Sequence, residues 1–436
     1  MTTRSRIAVP EPDFALAAEL FETLDKHTRD GAGITRASYG DGEQFAHDLM
    51  AQTARAAGLD VSTDATGNLY LTLKGSNPSA GTFLIASHLD SVPQGGNFDG
   101  AAGVIAGIAI VTAWRRAGFV PAHDVAVMAI RAEESTWFPY SYIGSKGALG
   151  LLPAEALEVR RADTGRTLAE HIDALGFDSK AVRRQTPHLK PKDVKGYVEL
   201  HIEQGPVLVG TGTPVALVTG IRGSFRYRDA KIFGEYGHSG AVPRPYRRDA
   251  VVAAAEFVTR LHAQWIALEQ AGHDLTVTMG KLFTDAHEHA FSKIAGEVSL
   301  CIDVRSHSKP TLGIVKDYVD ALAAEIAATH KVRFDLGPLT GSEPALMDAD
   351  LLRRFDEAAN ALAIPHATMA SGAGHDAAVF AGAGIPSAMI FVRNRNGSHN
   401  PDEAMEMSDF ELAVRVLNRG IASFSEPPSS EDIHDS

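Results

Sequence analysis

The sequence is poor in cysteine. Cys301 is the only one in 436 residues, so no disulfide framework can form within the chain. It also lacks an apolar run of the roughly 18 or more residues that a membrane-spanning helix needs. The N-terminal stretch MTTRSRIAVPEPDF has two arginines but no continuous apolar core, so it reads as neither an export signal nor an anchor, and a cytoplasmic location is expected. Extended basic runs are missing as well. With 41 Lys and Arg against 54 Asp and Glu, the net charge of −13 argues against nucleic acid or an anionic membrane as the principal partner. A small anionic substrate is still compatible, because arginines beside glycine-rich turns bind anions locally. Internal repeats and low-complexity segments are absent. What remains is an ordinary globular composition, 44% hydrophobic and 22% charged, in a chain long enough for about two domains.

The organising stretch is LIASHLDSVPQGGNFDGAAGVIAG, residues 84–107. TFLIAS is uncharged and too short for a helix, so it reads as a buried strand ending at His88. A glycine-punctuated loop then delivers Asp99 to the start of the apolar, Gly/Ala-rich helix that follows, where the helix dipole favours an acid. Helical spacing precedes it over 13–24 and 42–58. A second uncharged strand, VAVMAI, is followed by Glu133 and Glu134, adjacent acids whose side chains diverge. A third, in KGYVELHIEQGPVL, carries His201 and Gln204, and a fourth, PSAMIFVRN, leads to His399. Between 214 and 330 the pattern becomes ββαββα or a close variant, the signature of a self-contained α+β layer.

These patterns predict an α/β fold: a catalytic domain with a mixed, mainly parallel sheet flanked by helices, plus an inserted α+β lid and dimerisation domain. The expected boundaries are 1–212 and 331–436 for the catalytic domain and 213–330 for the insertion. A polar, Pro/Ser-rich tail from about 425 is expected to be unstructured. In open α/β sheets, ligands bind beyond the carboxyl ends of the strands. Imidazoles and acids at four strand ends make a mixed N/O donor set that suits zinc, manganese, cobalt or nickel, with a carboxylate able to bridge two ions.

The segments SHLDSVPQGGNFDGAAGV, EES, YVELHIEQGPVL, GHSGAVPRPYRRDA, CIDVRS, SGAGHDA and GSHNPDE resemble, in that order, the hydantoinase/carbamoylase family of metal-dependent amidohydrolases. That family includes N-carbamoyl-L-amino-acid hydrolases, β-ureidopropionase and allantoate amidohydrolase, and HIEQGP separates it from related dinuclear peptidases. The resemblance implies two divalent metal ions, one held by His88 and His201, the other by Glu134 and His399, with Asp99 as the bridge. It makes Glu133 the general base and His238, in GEYGHSG, a donor to the oxyanion across a homodimer. The implied substrate is a small amide or ureido acid.

Gln204 carries an amide that both donates and accepts, matching an amide or ureido group. Arg305 could grip a substrate carboxylate in a bidentate fork, or it could be held by Asp303, two residues back on the same face. Gly372 and Gly374 would let backbone amides approach the same ligand, and Asp376 could hold a histidine. Two departures from the family pattern bear on the pocket. Trp137 stands where relatives commonly have arginine, and the segment Phe291-Ser292-Lys293-Ile294 stands where many have an asparagine.

Overall fold

The computed structural model describes residues 9–424, so the tail from 425 lies outside the described residues. The described residues divide into two compact units, one formed by 9–219 and 347–424, the other by 220–346.

The first unit is built on a mixed sheet. Its central strands run in the order Ser387–Val392, Val194–Ile202, Thr82–His88, Asp124–Ile130, all parallel. These are the short uncharged runs of the sequence, and every residue of Asp124–Ile130 is buried, as strands covered on both faces require. Antiparallel strands close both sides: Leu69–Leu73 and Asp60–Thr63 beyond Asp124–Ile130, and Val215–Ile221 beyond Ser387–Val392. The helix Ala101–Ala117 is buried along its whole length from Ala101 to Trp114, which explains its small, apolar composition. Trp114 is fully buried and donates its indole N–H to Asn418 Oδ1 at 2.8 Å.

The second unit pairs Gly223–Phe233 with Glu297–Ser306 in antiparallel register. Alternate residues of Glu297–Ser306 are buried, so Val298, Leu300, Ile302 and Val304 face the core while Cys301 lies half-buried on the other face. Helices Ala250–Gln270 and Lys309–His330 add Phe257, Leu261, Val315 and Val319 to the same core. Asp249 and Ser308 cap them, their side chains accepting backbone N–H groups of the first turn.

The boundaries differ from those read in the sequence. Val215–Ile221 pairs with Ser387–Val392 in the first unit's sheet rather than opening the insertion. Arg333–Asp335 and Leu339–Ser342 pair with Gly223–Phe233 and so extend the second unit past residue 330. Apolar alternation identifies a strand but not its partner, which is set by contacts distant in sequence. The segment MASGAGHDAAVFAGAG, which shows no strand or helix period in the sequence, contains the end of a strand, His366–Ser371, and a six-residue helix, Ala377–Gly382. Six residues are too few to show a helical period.

Candidate metal centre

His88 ends the Thr82–His88 strand, and His201 lies one residue before the end of Val194–Ile202. Each imidazole is anchored through Nδ1: His88 on the carbonyl of Asp90 at 3.1 Å, His201 on the carbonyl of Ile202 at 2.9 Å. That leaves both Nε2 atoms turned to one oxygen, Asp99 Oδ1, at 3.4 and 3.1 Å. The other oxygen, Oδ2, faces His399 Nε2 at 3.5 Å, and His399 Nε2 lies 3.1 Å from Glu134 Oε1. The donors thus form two groups, His88–Asp99–His201 and Asp99–Glu134–His399, which share Asp99. Donors bound tetrahedrally at about 2.0–2.1 Å from one ion stand about 3.3 Å apart, the spacing seen here. An imidazole nitrogen and a carboxylate oxygen at this range are satisfied by a shared proton or by a metal ion between them, and the mixed N/O donor set with its shared carboxylate fits divalent ions.

His399 is not at a strand end, as the sequence reading had it. It sits in the loop between the two-residue strands Asn394–Arg395 and Ala404–Met405, with a left-handed φ of 61° and its side chain half exposed. Glu133 and Glu134 likewise begin three residues past Asp124–Ile130. Ala132, just before them, has φ 52°. A non-glycine residue there costs about 1–3 kcal/mol and must be held by its surroundings. The holder is Glu43, whose carboxylate accepts the Ala132 N–H at 2.9 Å while paired with the buried Arg131 at 2.8 Å.

The carboxylate of Asp90, fully buried, accepts the backbone N–H groups of both Glu133 and Glu134, at 3.1 and 3.2 Å, and the Ser38 hydroxyl at 2.7 Å. It therefore fixes the turn that presents the two acids. Glu134 faces His399, whereas the half-buried Glu133 carboxylate accepts no hydrogen bond among the described residues. Burial, with the negative charges of Glu134, Asp376 and Asp90 outweighing His88, pushes Glu133 well above the usual carboxylate range. Burial opposes ionisation of Asp99 too, but hydrogen bonds and charge from His201 and His88 hold it well below that range.

Gln204 has φ 62°, stabilised by its N–H on Asn394 Oδ1 at 2.9 Å. Its Nε2 donates to Asp99 Oδ2 at 2.7 Å, and its Oε1 is buried with no partner among the described residues. At Gly374 the space of a side chain is taken by Tyr142, whose hydroxyl lies 1.9 Å from where a Cβ would stand. Gly372, two residues earlier, follows the His366–Ser371 strand directly. Asp376 holds the Ser145 hydroxyl rather than a histidine. Trp137 is buried and donates its indole N–H to the carbonyl of Ser91 at 2.7 Å.

His238 and Arg305 belong to the second unit. His238 is exposed, and its Nδ1 accepts the N–H groups of Gly240 and Ala241 at 3.1 and 3.2 Å, which leaves Nε2–H as the donor of the neutral ring. Arg305 contacts Asp303 at 2.9 Å, so the ion pair weighed in the sequence is formed, and Arg226 joins it at 3.3 Å.

Sequence reasoning passed over Asp90, Glu199, Ser398 and Glu403. Glu199 is fully buried and accepts Tyr197, Ser87 and the Ala377 N–H. Its signal was available: in YVELH the residues 197, 199 and 201 share one face of a strand. Asp90 lies two residues past the end of Thr82–His88, so the strand's period of two does not reach it. Glu403 and Ser398 lie in the segment GSHNPDE, but nothing local shows that Glu403 accepts the N–H groups of Phe98 and Asp99, about three hundred positions earlier in the chain.

A mixed α/β unit whose sheet gathers three imidazoles and two acids into adjoining ion-sized clusters defines the class of a metal-dependent hydrolase. The chain belongs to peptidase family M20/M25/M40, whose sequence profile matches residues 84–423. An N-carbamoyl-L-amino acid amidohydrolase of Geobacillus stearothermophilus is 36% identical over 401 residues, covering 91% of this chain and 95% of that protein. Allantoate amidohydrolase of Escherichia coli K12 is 31% identical over 390 residues, 88% of this chain and 91% of that one. The crystal structure of a hydantoinase/carbamoylase family amidase from Burkholderia ambifaria superposes with a TM-score of 0.84 at 29% identity, covering 97% and 100% of the two chains. Within its family the chain is accordingly an amidohydrolase of the hydantoinase/carbamoylase group. Among the described residues, no helix is long and apolar enough to cross a membrane.

Proposed function

We propose that this protein hydrolyses a linear C–N bond in an N-carbamoyl amino acid or a related ureido acid, using two divalent metal ions and Glu133 as general base. The observation that carries the reading is Asp99, whose two carboxylate oxygens face two separate donor groups, His88 with His201 and Glu134 with His399. Ions held there supply Lewis acidity toward the substrate carbonyl and lower the pKa of water. Glu133, whose carboxylate accepts no hydrogen bond among the described residues, takes a proton from the attacking water and returns it to the leaving nitrogen. The buried, unpartnered Oε1 of Gln204 accepts an N–H of the ureido group, which a plain ester would lack. His238 offers its Nε2–H to the developing oxyanion, and Arg305 exchanges or shares Asp303 for a substrate carboxylate.

The reading includes a homodimer formed through the second unit. Large apolar side chains stand out on that unit, Phe291 at 108% and Tyr246 at 77% exposure, with Phe283, Leu282 and Val252 also exposed. Such side chains are available for burial in an interface.

Side-by-side assays of the zinc-, manganese-, cobalt- and nickel-loaded protein on an N-carbamoyl amino acid and on a dipeptide test the reading. Hydrolysis of the carbamoyl group yields the free amine and carbamate, which breaks down to carbon dioxide and ammonia. Ammonia release is expected. Dipeptide cleavage without it would make the protein an exopeptidase instead.

A further inference from the structure

We propose that Glu403 is a positioning residue that ties together the two ligand-bearing loops of the metal centre, and that the ion between Glu134 and His399 depends on it more than the ion between His88 and His201. The inference rests on the dinuclear reading above. Glu403 is buried, 7% exposed, although it follows the exposed Pro401 and Asp402. Its Oε1 accepts the backbone N–H groups of Phe98 and Asp99 at 2.9 and 3.2 Å. Its Oε2 lies 2.6 Å from the Ser398 hydroxyl, which in turn reaches Asp99 Oδ2 at 2.5 Å. One carboxylate thus joins the loop that carries Asp99 to the loop that carries His399, and it sets both the backbone and one oxygen of the bridging acid. Room is reserved for it: a Cβ on Gly96 would come within 2.1 Å of the Glu403 carboxyl group.

The two halves of the centre differ in how they are held. His88 and His201 stand on adjacent elements of the central sheet, the strands Thr82–His88 and Val194–Ile202, which are hydrogen-bonded to each other. Their imidazoles keep their aim through their own Nδ1 contacts. His399 has no strand beneath it. Its loop is closed internally, by Asn394 Nδ2 on the carbonyl of Gly397 and Asn396 Nδ2 on that of Asp402. Those bonds shape the loop, and Gln204 links its base at Asn394 to Asp99 Oδ2. The direct hydrogen bonds from the loop to the Asp99 segment are those of Glu403 and Ser398. Removing the tie leaves the His88–His201 pair in place and lets the His399 loop shift relative to Asp99 Oδ2. Outer contacts of this kind change metal affinity by about 10–100-fold.

The test is titration of the chelator-treated full chain with Co2+, followed by visible absorption and by calorimetry, together with the thermal melting of each variant before metal is added. Wild type should bind two ions in two resolved steps. Glu403→Ala should weaken one step by about 10–100-fold and leave the other within about threefold. Glu403→Gln should bind like wild type: its amide oxygen can accept both N–H groups, and its NH2 can donate to Ser398, whose proton then serves Asp99. Equal weakening of both steps, or of neither, in Glu403→Ala overturns the proposal. So does a Glu403→Gln variant as impaired as Glu403→Ala, since the role is one of hydrogen bonding. Should Glu403→Ala melt too low to titrate, Ser398→Ala decides, and two unchanged steps there overturn the assignment. Wild type binding only one ion would instead sink the dinuclear reading, and this inference with it.

Discussion

Each unit contains an arginine–carboxylate pair beside a candidate functional residue, and the two pairs are built differently. Arg131 and Glu43, in the first unit, are essentially inaccessible to water, and their remaining hydrogen bonds go to Gly67, Gln44, Tyr39 and Ala132. Arg305 and Asp303, in the second, keep about a third and a quarter of their side-chain surface exposed. The buried pair cannot be separated without stranding a charge, so it holds a strained turn in place. The half-exposed pair can open and re-form in water at little cost, which suits the ligand-binding role proposed for Arg305. Burial alone thus separates a rigid pair from an exchangeable one.

The sharpest way to break this comparison is to remove one partner from each pair. Arg131→Met should destabilise the protein by about 3–5 kcal/mol in denaturant unfolding, because Glu43 is left charged and buried. Asp303→Asn should cost less than about 1 kcal/mol. Similar losses in the two variants would end the distinction.

The next largest effect concerns the roles proposed for Glu133 and His238. Glu133→Gln should keep both metals and lose at least ~10²-fold in kcat, and His238→Ala should lose ~10²–10³-fold. If His238 serves the neighbouring subunit, mixing the two inactive proteins after dissociation restores activity at one site of each mixed dimer. That site has its own Glu133 and receives an intact His238. Mixed dimers verified by mass that remain inactive would place His238 in the service of its own subunit.

Arg305→Lys sharpens the second half of the comparison. It should raise KM about tenfold for an acid substrate and leave the corresponding amide nearly unchanged, since lysine cannot form the bidentate fork. An equal change for both substrates would show that Arg305 works only through Asp303.

The smallest effect is one of pH. The hydrogen bond to Glu134, against the cost of burial, raises the pKa of His399 from 6.5 to about 9. A histidine raised in the folded state stabilises fully below 6.5 and loses that contribution as pH rises through about 9. In chelator-treated protein, Tm should therefore fall across this window by about a degree more than in His399→Gln, a small effect because the side chain is half exposed. A larger drop in His399→Gln would contradict the assignment.

How far the chain could be read in advance follows from the range of each interaction. His88 and His201 were legible because a short uncharged run and a period of two place them at buried strand ends. Asp99 was legible from the glycine-rich loop before an apolar helix. His399 was assigned to a strand end that the fold does not provide, because nothing local announces that the strand Ser387–Val392 stops seven residues earlier. The insertion was seen, but its edges moved, since Val215–Ile221 and Arg333–Asp335 are strands in either sheet as far as their own sequence is concerned.

By itself the sequence determined which segments become strands and helices and which acids and imidazoles are available, because periodicity and donor chemistry are local properties. Only the tertiary structure decided that Asp99 turns one oxygen to each donor group, that Glu43 holds the turn before Glu133, and that Glu403 reaches back to Phe98 and Asp99. Those contacts join residues from about ninety to about three hundred positions apart. They form because burying a carboxylate is tolerable only where backbone N–H groups, hydroxyls or a cation meet it, and the sheet brings such partners together regardless of their distance along the chain.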